Sequence, residues 1–473
     1  MSNEAIDLLS VDRGAVTAPA GCGKTHLILR AVSNHAGKKP ILVLTHTNAG
    51  VAALRARLNN SGINTSQYRL ATLDGFAIRL VSSFPLRSGV SSGTLLLESP
   101  SQDYDKIRRA VCKLLDDGVL YDVLRASYSR LVVDEYQDCC NDQHAFISSI
   151  ASVLPTCILG DPLQAVFSWL GLPCWDSVVC SCFPVVCELN TPWRWINAGA
   201  EGLGRWLLYV RSQLLQKNPI DFANAPDELE FVQLGNAEKS YRQQLLASRV
   251  RAANGGSILV IGNGKKPSEH RRFASQIPGA VTVENVSLQD LIDFAKKFDF
   301  NSSDALSDVL IFASKIMRNV NPVHVLKRID SLESGRARVE ASNAERAALA
   351  FKASPSPMAM IDLLVEIGRD EGVTSHRPSV LRACISSLHS CSLSGGRSFY
   401  DAAVCAREQN RILGRCLPRR AVGSPLLLKG LEGEVAVVLN AEDHDASALY
   451  VSMTRGSNKL VVCSYSPIWS HYV

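Results

Sequence analysis

Lys24 and Thr25 close the segment Ala18-Pro19-Ala20-Gly21-Cys22-Gly23-Lys24-Thr25, and their surroundings decide what they can do. Apolar Gly14-Ala15-Val16-Thr17 precedes the segment, and Leu27, Ile28, Leu29 and Val32 follow it at helical spacing. The pattern predicts a strand, a glycine loop and a helix. At such a junction, backbone N–H groups and the helix N-terminus face phosphates, a lysine reaches the β- and γ-phosphates, and the hydroxyl after it binds Mg²⁺. Lys24 and Thr25 take those places in this P-loop pattern, with Ala20, Gly21, Cys22, Gly23 and His26 around the same phosphates. Ala18 stands where the pattern has its first glycine. The competing reading is a glycine-rich turn with no ligand.

Arg130-Leu131-Val132-Val133 is a β-rich run ending in Asp134-Glu135-Tyr136-Gln137-Asp138. At a strand's carboxyl end, Asp134 can hold the metal and its water, and Glu135 can take the proton from attacking water. An acidic pair after a strand is usually just solvated. Its meaning comes from the P-loop about 110 residues upstream. Cys157-Ile158-Leu159 predicts a third strand, ending in Gly160-Asp161-Pro162-Leu163-Gln164. The Gln164 amide can hydrogen-bond a γ-phosphate or position water, although glutamine is also an ordinary turn residue.

In this order the motifs resemble those of the UvrD/Rep/PcrA-type superfamily 1 helicases. Thr45-His46-Thr47-Asn48 is similar to motif Ia, and Thr72-Leu73-Asp74-Gly75-Phe76 to a degenerate Ib. Motif II is Asp134 to Asp138, motif III Gly160 to Trp169, and motif IV Leu189-Asn190-Thr191-Pro192-Trp193-Arg194. Lys429-Gly430-Leu431-Glu432 resembles motif V, and Tyr450-Val451-Ser452-Met453-Thr454-Arg455-Gly456 motif VI. These segments bracket nearly the whole chain.

The resemblance implies ATP and Mg²⁺ bound between two RecA-like domains, with Arg194 and Arg455 reaching the γ-phosphate from the second. A mobile arginine that neutralises charge only when a cleft closes couples chemistry to motion. By the same resemblance Trp193 stacks on adenine, Gly430 and Glu432 belong to the nucleotide site, and Glu432 meets the ribose. His46, Thr47, Asn48, Phe167 and Trp169 match positions along single-stranded DNA. Bases stacked on aromatic rings carry little sequence preference, which suits a motor that regrips every nucleotide. The bland alternatives are surface salt bridges for the two arginines and core packing for Trp193, Phe167 and Trp169.

Several positions depart from the family pattern. No glutamine precedes the P-loop where the family reads adenine, and His26 replaces an arginine. Ala49 stands for a frequent lysine in motif Ia, Leu170 for an arginine after motif III, and Leu426 for a histidine in motif V. Strict ATP preference and tight DNA coupling are the properties these changes put in question.

Length and composition set the frame. The 473 residues, 46% hydrophobic and 20% charged, leave room for about two to four globular domains. A net charge of +5 is too small to argue for nucleic acid by itself. No run of about 18 apolar residues predicts a membrane span, and the first twelve residues lack the apolar core of a signal peptide. Cysteines on apolar segments suggest reduced thiols and a cytoplasmic location. Cys174, Cys180, Cys182 and Cys187 lack the paired C-x2-C of common metal sites.

The expected fold is α/β, with two RecA-like P-loop domains on parallel sheets and reduced, mostly helical 1B and 2B insertions. The first domain is expected over 1–185, with 1B about 80–129 opening on a Ser/Gly-rich loop at 88–93. The second spans 186–473, with 2B about 320–418. A strand is expected at 257–264, a helix over 305–313, a junction at 331–343, a break at 354–357, and strands at 435–439 and 459–463.

Two functional readings follow. The first is a single-stranded-DNA-stimulated ATPase that translocates, 3′ to 5′ by family resemblance, in antiphage defence or DNA repair. The second is a nucleotide-controlled DNA-sensing or nuclease-regulating binding module without processive unwinding. Short insertions resemble those of the helicase-like subunit of Gabija-type antiphage systems, which implies a nuclease partner carrying its own ATPase domain.

Overall fold

Runs such as Ile41-Leu42-Val43-Leu44 and Leu131-Val132-Val133 are apolar on both faces, which only a sheet covered on both sides can bury. The computed structural model describes residues 6–470, apart from 96, 98–99, 168–170, 254, 284–287, 394–397 and 414–417. Its first sheet contains β1 (Arg13–Thr17), β2 (Ile41–Thr45), β3 (Tyr68–Thr72), β4 (Arg130–Val133), β5 (Thr156–Gly160) and β6 (Val185–Glu188). The order is β3-β2-β4-β5-β1-β6, with every pair parallel.

Side chains alternate across this sheet with period two. Leu42, Leu44, Leu131, Val133 and Ile158 enter one core, together with Phe76, Leu80, Val111, Phe146 and Ile147. Ile41, Val43, Val132, Cys157 and Leu159 enter the other, under helices α1 (Lys24–Ser33) and α2 (Asn48–Asn60). Leu27, Ile28, Ala31 and Val32 form the buried stripe of α1. Because all six strands run the same way, the segments after β1, β2, β4 and β5 emerge at one edge. Ligands of open parallel sheets bind at that carboxyl edge.

Helix α3 (Leu73–Ser83) begins at Thr72, whose hydroxyl accepts from the Gly75 N–H at 3.0 Å. Asp74 in its first turn accepts two hydrogen bonds from Arg108, each 2.8 Å, and one from the Gln143 amide at 3.0 Å. The motif Ib carboxylate therefore ties α3 to its neighbours. The expected loop at 88–93 is shorter than its composition suggests: helices Pro85–Ser88 and Ser92–Leu95 leave only 89–91 between them.

Beyond β6, strands β7 (Ile220–Asp221), β8 (Leu229–Gln233), β9 (Ile258–Ile261), β10 (Ala280–Thr282), β11 (Met317–Arg318), β12 (Thr374–Ser375), β13 (Arg420–Gly423), β14 (Gly433–Val438), β15 (Gly456–Ser464) and β16 (Ile468–Trp469) follow. The second six-stranded sheet has the order β10-β13-β9-β14-β15-β8. The expected α/β class, with two such sheets, is what the chain adopts. The chain divides into two compact units, Met1–Gln233 with Glu434–Val473, and Leu234–Gly433.

Within Leu234–Gly433, the described residues between β10 and β13 are helical apart from the antiparallel β11/β12 ribbon and connecting turns. The helix expected over 305–313 is Ala305–Ile316, with Val309, Leu310, Ala313 and Ile316 in the helical core. Within the polar stretch 331–343, residues 334–342 connect helices Pro322–Glu333 and Asn343–Ala353. Ser342 and Glu345 form a capping box there, the Ser342 hydroxyl accepting from the Glu345 N–H at 3.1 Å and the Glu345 carboxylate from the Ser342 N–H at 3.0 Å. Ser354 to Pro357 breaks the helix as expected, between Asn343–Ala353 and Pro357–Arg369.

Two histidines are held neutral by their surroundings. Burial first, then the charges of Arg318, Arg377 and Arg271, depress His376 to about 4. Burial, then Arg13, also lowers His144, whose Nδ1 lies 2.8 Å from the Tyr136 hydroxyl. The unfolded chain takes up these protons near pH 6.5, so it binds more protons than the fold just below that pH. Stability contributed here is complete above about pH 6.5 and is lost as pH falls toward about 4. Urea midpoints should drop between pH 7 and pH 5, and His376→Asn should flatten that slope; an identical slope in the variant contradicts the assignment.

Candidate nucleotide site

Gly21 and Gly23 both have positive φ, 70° and 94°, so the loop after β1 turns as residues with a Cβ seldom do. Space is equally restrictive at Gly21, where a Cβ would lie 2.5 Å from the Trp195 ring. Gly23 caps α1, and Lys24 and Thr25 are the first residues of that helix. The expected strand, loop and helix are therefore in place. Backbone N–H groups at the start of α1 have no earlier turn to bond, the arrangement that anion-binding helix ends use.

Lys24 is the hub. Its ammonium donates to Glu135 Oε1 at 2.6 Å and lies 3.4 Å from Asp134 Oδ1. Burial by itself disfavours the lysine charge, but Glu135 and then Asp134 outweigh it and hold the pKa above the ordinary value. Asp134 is pushed up by burial against the pull of Lys24. The Lys24 ammonium is thus held between the two carboxylates.

Glu135 has φ 55° and ψ 40°, a left-handed conformation that costs a side-chain-bearing residue about 1–2 kcal/mol. The turn aims its carboxylate at Lys24, while Oε2 accepts from the Gln137 amide at 2.6 Å. Gln137 Oε1 in turn accepts from the Asp161 N–H at 3.1 Å. A Cβ on Gly160 would lie 2.8 Å from that same oxygen, so glycine at the end of β5 keeps the link open.

Asp161 continues the chain of contacts. Its carboxylate accepts from the Gln164 amide at 2.9 Å and from Arg211 Nε at 3.1 Å, and Arg211 Nη1 reaches Glu188 at 3.0 Å. Burial opposes the Arg211 charge, but Asp161, together with Tyr450 and Glu188, outweighs it and raises the pKa. Asp161, Gln164 and Arg211 are all buried. Gln137 stands in motif II without a role that its type announces, and Arg211 lies outside every motif. The signal for Arg211 was an arginine on the apolar stripe Leu203, Leu207, Val210, Leu214 of helix Glu201–Leu215.

The motif IV and VI residues also meet the P-loop side of the chain. The Arg194 N–H donates to the Gly21 carbonyl at 3.1 Å, and its Nη1 donates to the Thr454 carbonyl at 2.6 Å. Trp195, which sequence reasoning did not single out, is buried and donates to the Gly456 carbonyl at 2.9 Å. Trp193 is 50% exposed, and its ring lies 3.3 Å from where a Gly23 Cβ would be. Its open face beside the loop does not match a core tryptophan.

Arg455 is buried, with Nε donating to the Val451 carbonyl at 2.8 Å and Nη2 to the Thr454 hydroxyl at 3.1 Å. It follows helix Ala446–Met453, which packs on the Pro162–Gln164 turn. Cys22 is buried and its thiol is pushed up to about 12 by burial, then by Asp161. Ala20 is also buried, whereas His26 is exposed in the first turn of α1. Gly430, with φ 79°, and Glu432 lie in the unit Leu234–Gly433, between helix Pro425–Leu428 and β14.

Along the same sheet edge, the His46 and Phe167 rings lie 4.9 Å apart, tilted by 46°. Motifs Ia and III thus share an aromatic surface. The Thr47 hydroxyl is the N-cap of α2, accepting from Gly50 N–H at 3.0 Å, and Asn48 is the exposed first residue of that helix. Trp169 lies outside the described residues.

Residues 3–102 and 94–172 match the model of the UvrD/REP helicase N-terminal domain. This part of the chain is similar to the UvrD-like helicases. No curated protein matches the chain. The matched helicase region contains the P-loop, motifs Ia, Ib and II, and motif III, so β1 to β5 and the Lys24 cluster all fall inside it. Arg194, Gly430, Glu432 and Arg455 lie beyond it.

The residues fit Mg²⁺ with ATP. Thr25 and Asp134 offer two oxygen donors, and among the described residues no three His, Cys, Asp or Glu side chains group as a metal cage. Magnesium in nucleotide sites takes few protein ligands and completes its shell with phosphate and water.

Removing Arg211 strands the wholly buried Asp161 carboxylate. Arg211→Met should therefore cost about 3–5 kcal/mol of stability, the usual penalty for breaking a buried pair. Adding Asp161→Asn should restore part of the loss. Thermal melts of the two variants test this, and an unchanged midpoint in the single variant refutes it.

Proposed function

We propose that the chain is an ATP-driven motor on single-stranded DNA, moving 3′ to 5′, and acting in antiphage defence or DNA repair. The observation that carries this reading is the Lys24, Asp134 and Glu135 cluster inside a UvrD/REP-type match. Lys24 and the α1 N-terminus bind the phosphates, and Thr25 with Asp134 holds Mg²⁺, which neutralises phosphate charge. Glu135, released from Lys24, accepts the proton of the attacking water. Gln164 senses the γ-phosphate, and Arg194 and Arg455 stabilise transition-state charge. Trp193, Gly430 and Glu432 receive base and ribose. In this scheme 1–185 and 186–473 are the two RecA-like domains, carrying 1B at about 80–129 and 2B at about 320–418. The proposed location is the cytoplasm; among the described residues no helix is long and apolar enough to cross a membrane.

DNA passes over His46, Thr47, Asn48, Phe167 and Trp169. The His46–Phe167 contact supports this path because adjacent rings at a sheet edge make a stacking platform. Thr47 contributes by fixing the start of α2 beside it.

The second reading, a nucleotide-controlled DNA-sensing or nuclease-regulating module, draws on the short 1B interval. Its described residues form helices Pro85–Ser88, Ser92–Leu95, Pro100–Asp116 and Tyr121–Ser127, a small surface for gripping a duplex. A nuclease with its own ATPase domain, as in Gabija-type systems, would supply the missing surface.

Lys24→Ala should lose both nucleotide affinity and hydrolysis, whereas Glu135→Gln should retain ATP and fail to turn it over. Arg455→Ala should slow turnover on the order of 10³-fold with ATP affinity within several-fold, as for an arginine finger. Nucleotide binding and steady-state turnover of folded variants decide; parent-rate hydrolysis in Glu135→Gln removes it as the base.

Single-stranded DNA should stimulate ATPase activity of the parent chain, while duplex unwinding by the isolated chain is weak or absent. A nuclease encoded beside it should comigrate on purification. An ATPase indifferent to single strands sinks the motor reading, and robust unwinding without a comigrating nuclease sinks the partner.

A further inference from the structure

A second concave site lies in the unit Leu234–Gly433, on residues the nucleotide site does not use. The cavity is about 560 Å³ and is bounded by helix Pro267–Gln276, the first turn of helix Gln289–Lys297, the end of helix Ala305–Ile316 and the β11/β12 ribbon. Sites for small ligands commonly span about 300–1,000 Å³.

Five cationic side chains line it, Arg271, Arg272, Lys315, Arg318 and Arg377, against the single carboxylate of Asp290. One oxygen of Asp290 serves two of them, at 2.7 Å from Arg271 and 2.6 Å from Arg377. Five cations less one carboxylate leave four positive charges around one concavity. Such a concentration raises the local potential and attracts anions.

Burial sharpens the case. Arg377 is 2% exposed and His376, also on the wall, 4%. Arg318 turns Nη2 toward the carbonyls of Ala274, Ile277 and Ala280, which anchors it. Its buried Nε and the buried Nδ1 of His376 have no hydrogen-bond partner among the described residues. Leaving a buried polar group unpaired is costly, and native structures seldom do so without a water, ion or ligand to take the bond. The depression of His376 by burial and by Arg318, Arg377 and Arg271 reports the same positive field.

A structural role explains part of this set. Arg318 and the Asp290 pairs tie helices to the ribbon, as buried arginines often do. That role leaves Arg272, whose guanidinium lies over the Tyr241 ring, and Lys315, both exposed, on a cavity wall whose one carboxylate, Asp290, is already shared by Arg271 and Arg377. Guanidinium groups match phosphate oxygens through planar forks, and a lysine adds a point charge. The volume exceeds what one phosphate needs.

We infer that this cavity binds the phosphate groups of a polyanionic ligand, separately from the Lys24 site. Two sources share that chemistry, a free nucleoside polyphosphate and the 5′-phosphorylated end of a DNA strand. Arg377 and Arg318 form the floor of the site, and Arg272 and Lys315 its rim.

The test uses the full chain carrying Lys24→Ala, so that the P-loop does not contribute. Calorimetry at low ionic strength would follow pyrophosphate, ATP, and 5′-phosphorylated and 5′-hydroxyl single-stranded oligonucleotides. At least one phosphate-bearing probe should bind at one site per chain. The rim variant Arg272→Glu with Lys315→Glu should weaken that binding at least tenfold while its melting curve stays unchanged. Arg272→Ala with Lys315→Ala should give a smaller loss, which separates charge from folding defects. Pyrophosphate or ATP binding assigns the free-ligand source; a preference for the 5′-phosphorylated strand that the rim variant abolishes assigns the strand end. No saturable binding by any probe, or binding indifferent to both rim variants, overturns the proposal. Because P-loop chemistry is absent from this background, the outcome is independent of whether the motor reading holds.

Discussion

The ion pair between Lys24 and Glu135 is the interaction on which the candidate site depends, because it joins the ends of two strands that are not neighbours. Lys24 follows β1 and Glu135 follows β4, with β5 between them in the sheet. A 2.6 Å contact across that gap requires a flat register, a tight loop after β1, and the left-handed turn at Glu135. Each requirement is met by particular residues. Gly21 and Gly23 make the loop, and the parallel pairs β1/β5 and β4/β5 fix the register. The strain at Glu135 is offset by bonds to both of its oxygens.

From that pair a continuous polar path runs inward. Glu135 meets Gln137, Gln137 meets the Asp161 backbone, and the Asp161 side chain meets Gln164 and Arg211. Buried polar chains of this kind are favourable only when every member is satisfied. The path places Gln164 on the same network as the Lys24 cluster through defined contacts. A ligand that drew Lys24 away from Glu135 would change the partner of Gln137, and so the bonding at the end of β5. Coupling between phosphate binding and motif III therefore has a physical route.

How much of this was legible in the sequence depended on whether the information was local. The P-loop, the acidic pair and the third strand each announce themselves within ten residues, by apolar runs ending in glycine or carboxylate, and each lies at the expected strand end. Helix Ala305–Ile316 and the break at Ser354 to Pro357 were readable for the same reason. Arg211 was not readable as part of the site, because its partners Asp161 and Glu188 are 50 and 23 residues away. Likewise, motif position suggests Thr47 as a DNA contact but is silent on its capping of α2, which the 3.0 Å bond from Gly50 N–H shows. The short stretch 88–93 misled through composition, since serine and glycine can punctuate helices as readily as they form loops.

The resemblance was most informative where spacing alone is silent. His46 and Phe167 are about 120 residues apart, and neither type in isolation argues for DNA over core packing. Their ring contact at 4.9 Å is a long-range fact that the local sequence around neither residue contains. Arg455 presents the opposite case. Motif order assigns it to the γ-phosphate, yet its side chain is buried against Val451 and Thr454, on the helix that packs on the Gln164 turn. An arginine finger must be free to approach charge as it develops, so a guanidinium bonded to its own helix end has to exchange those bonds for phosphate oxygens. The Val451 and Thr454 acceptors are neutral, so an anionic phosphate would add a charge–charge attraction to the guanidinium that these two bonds lack. Exchanging the Val451 and Thr454 bonds for phosphate oxygens is therefore the step that the proposed arginine-finger role of Arg455 requires.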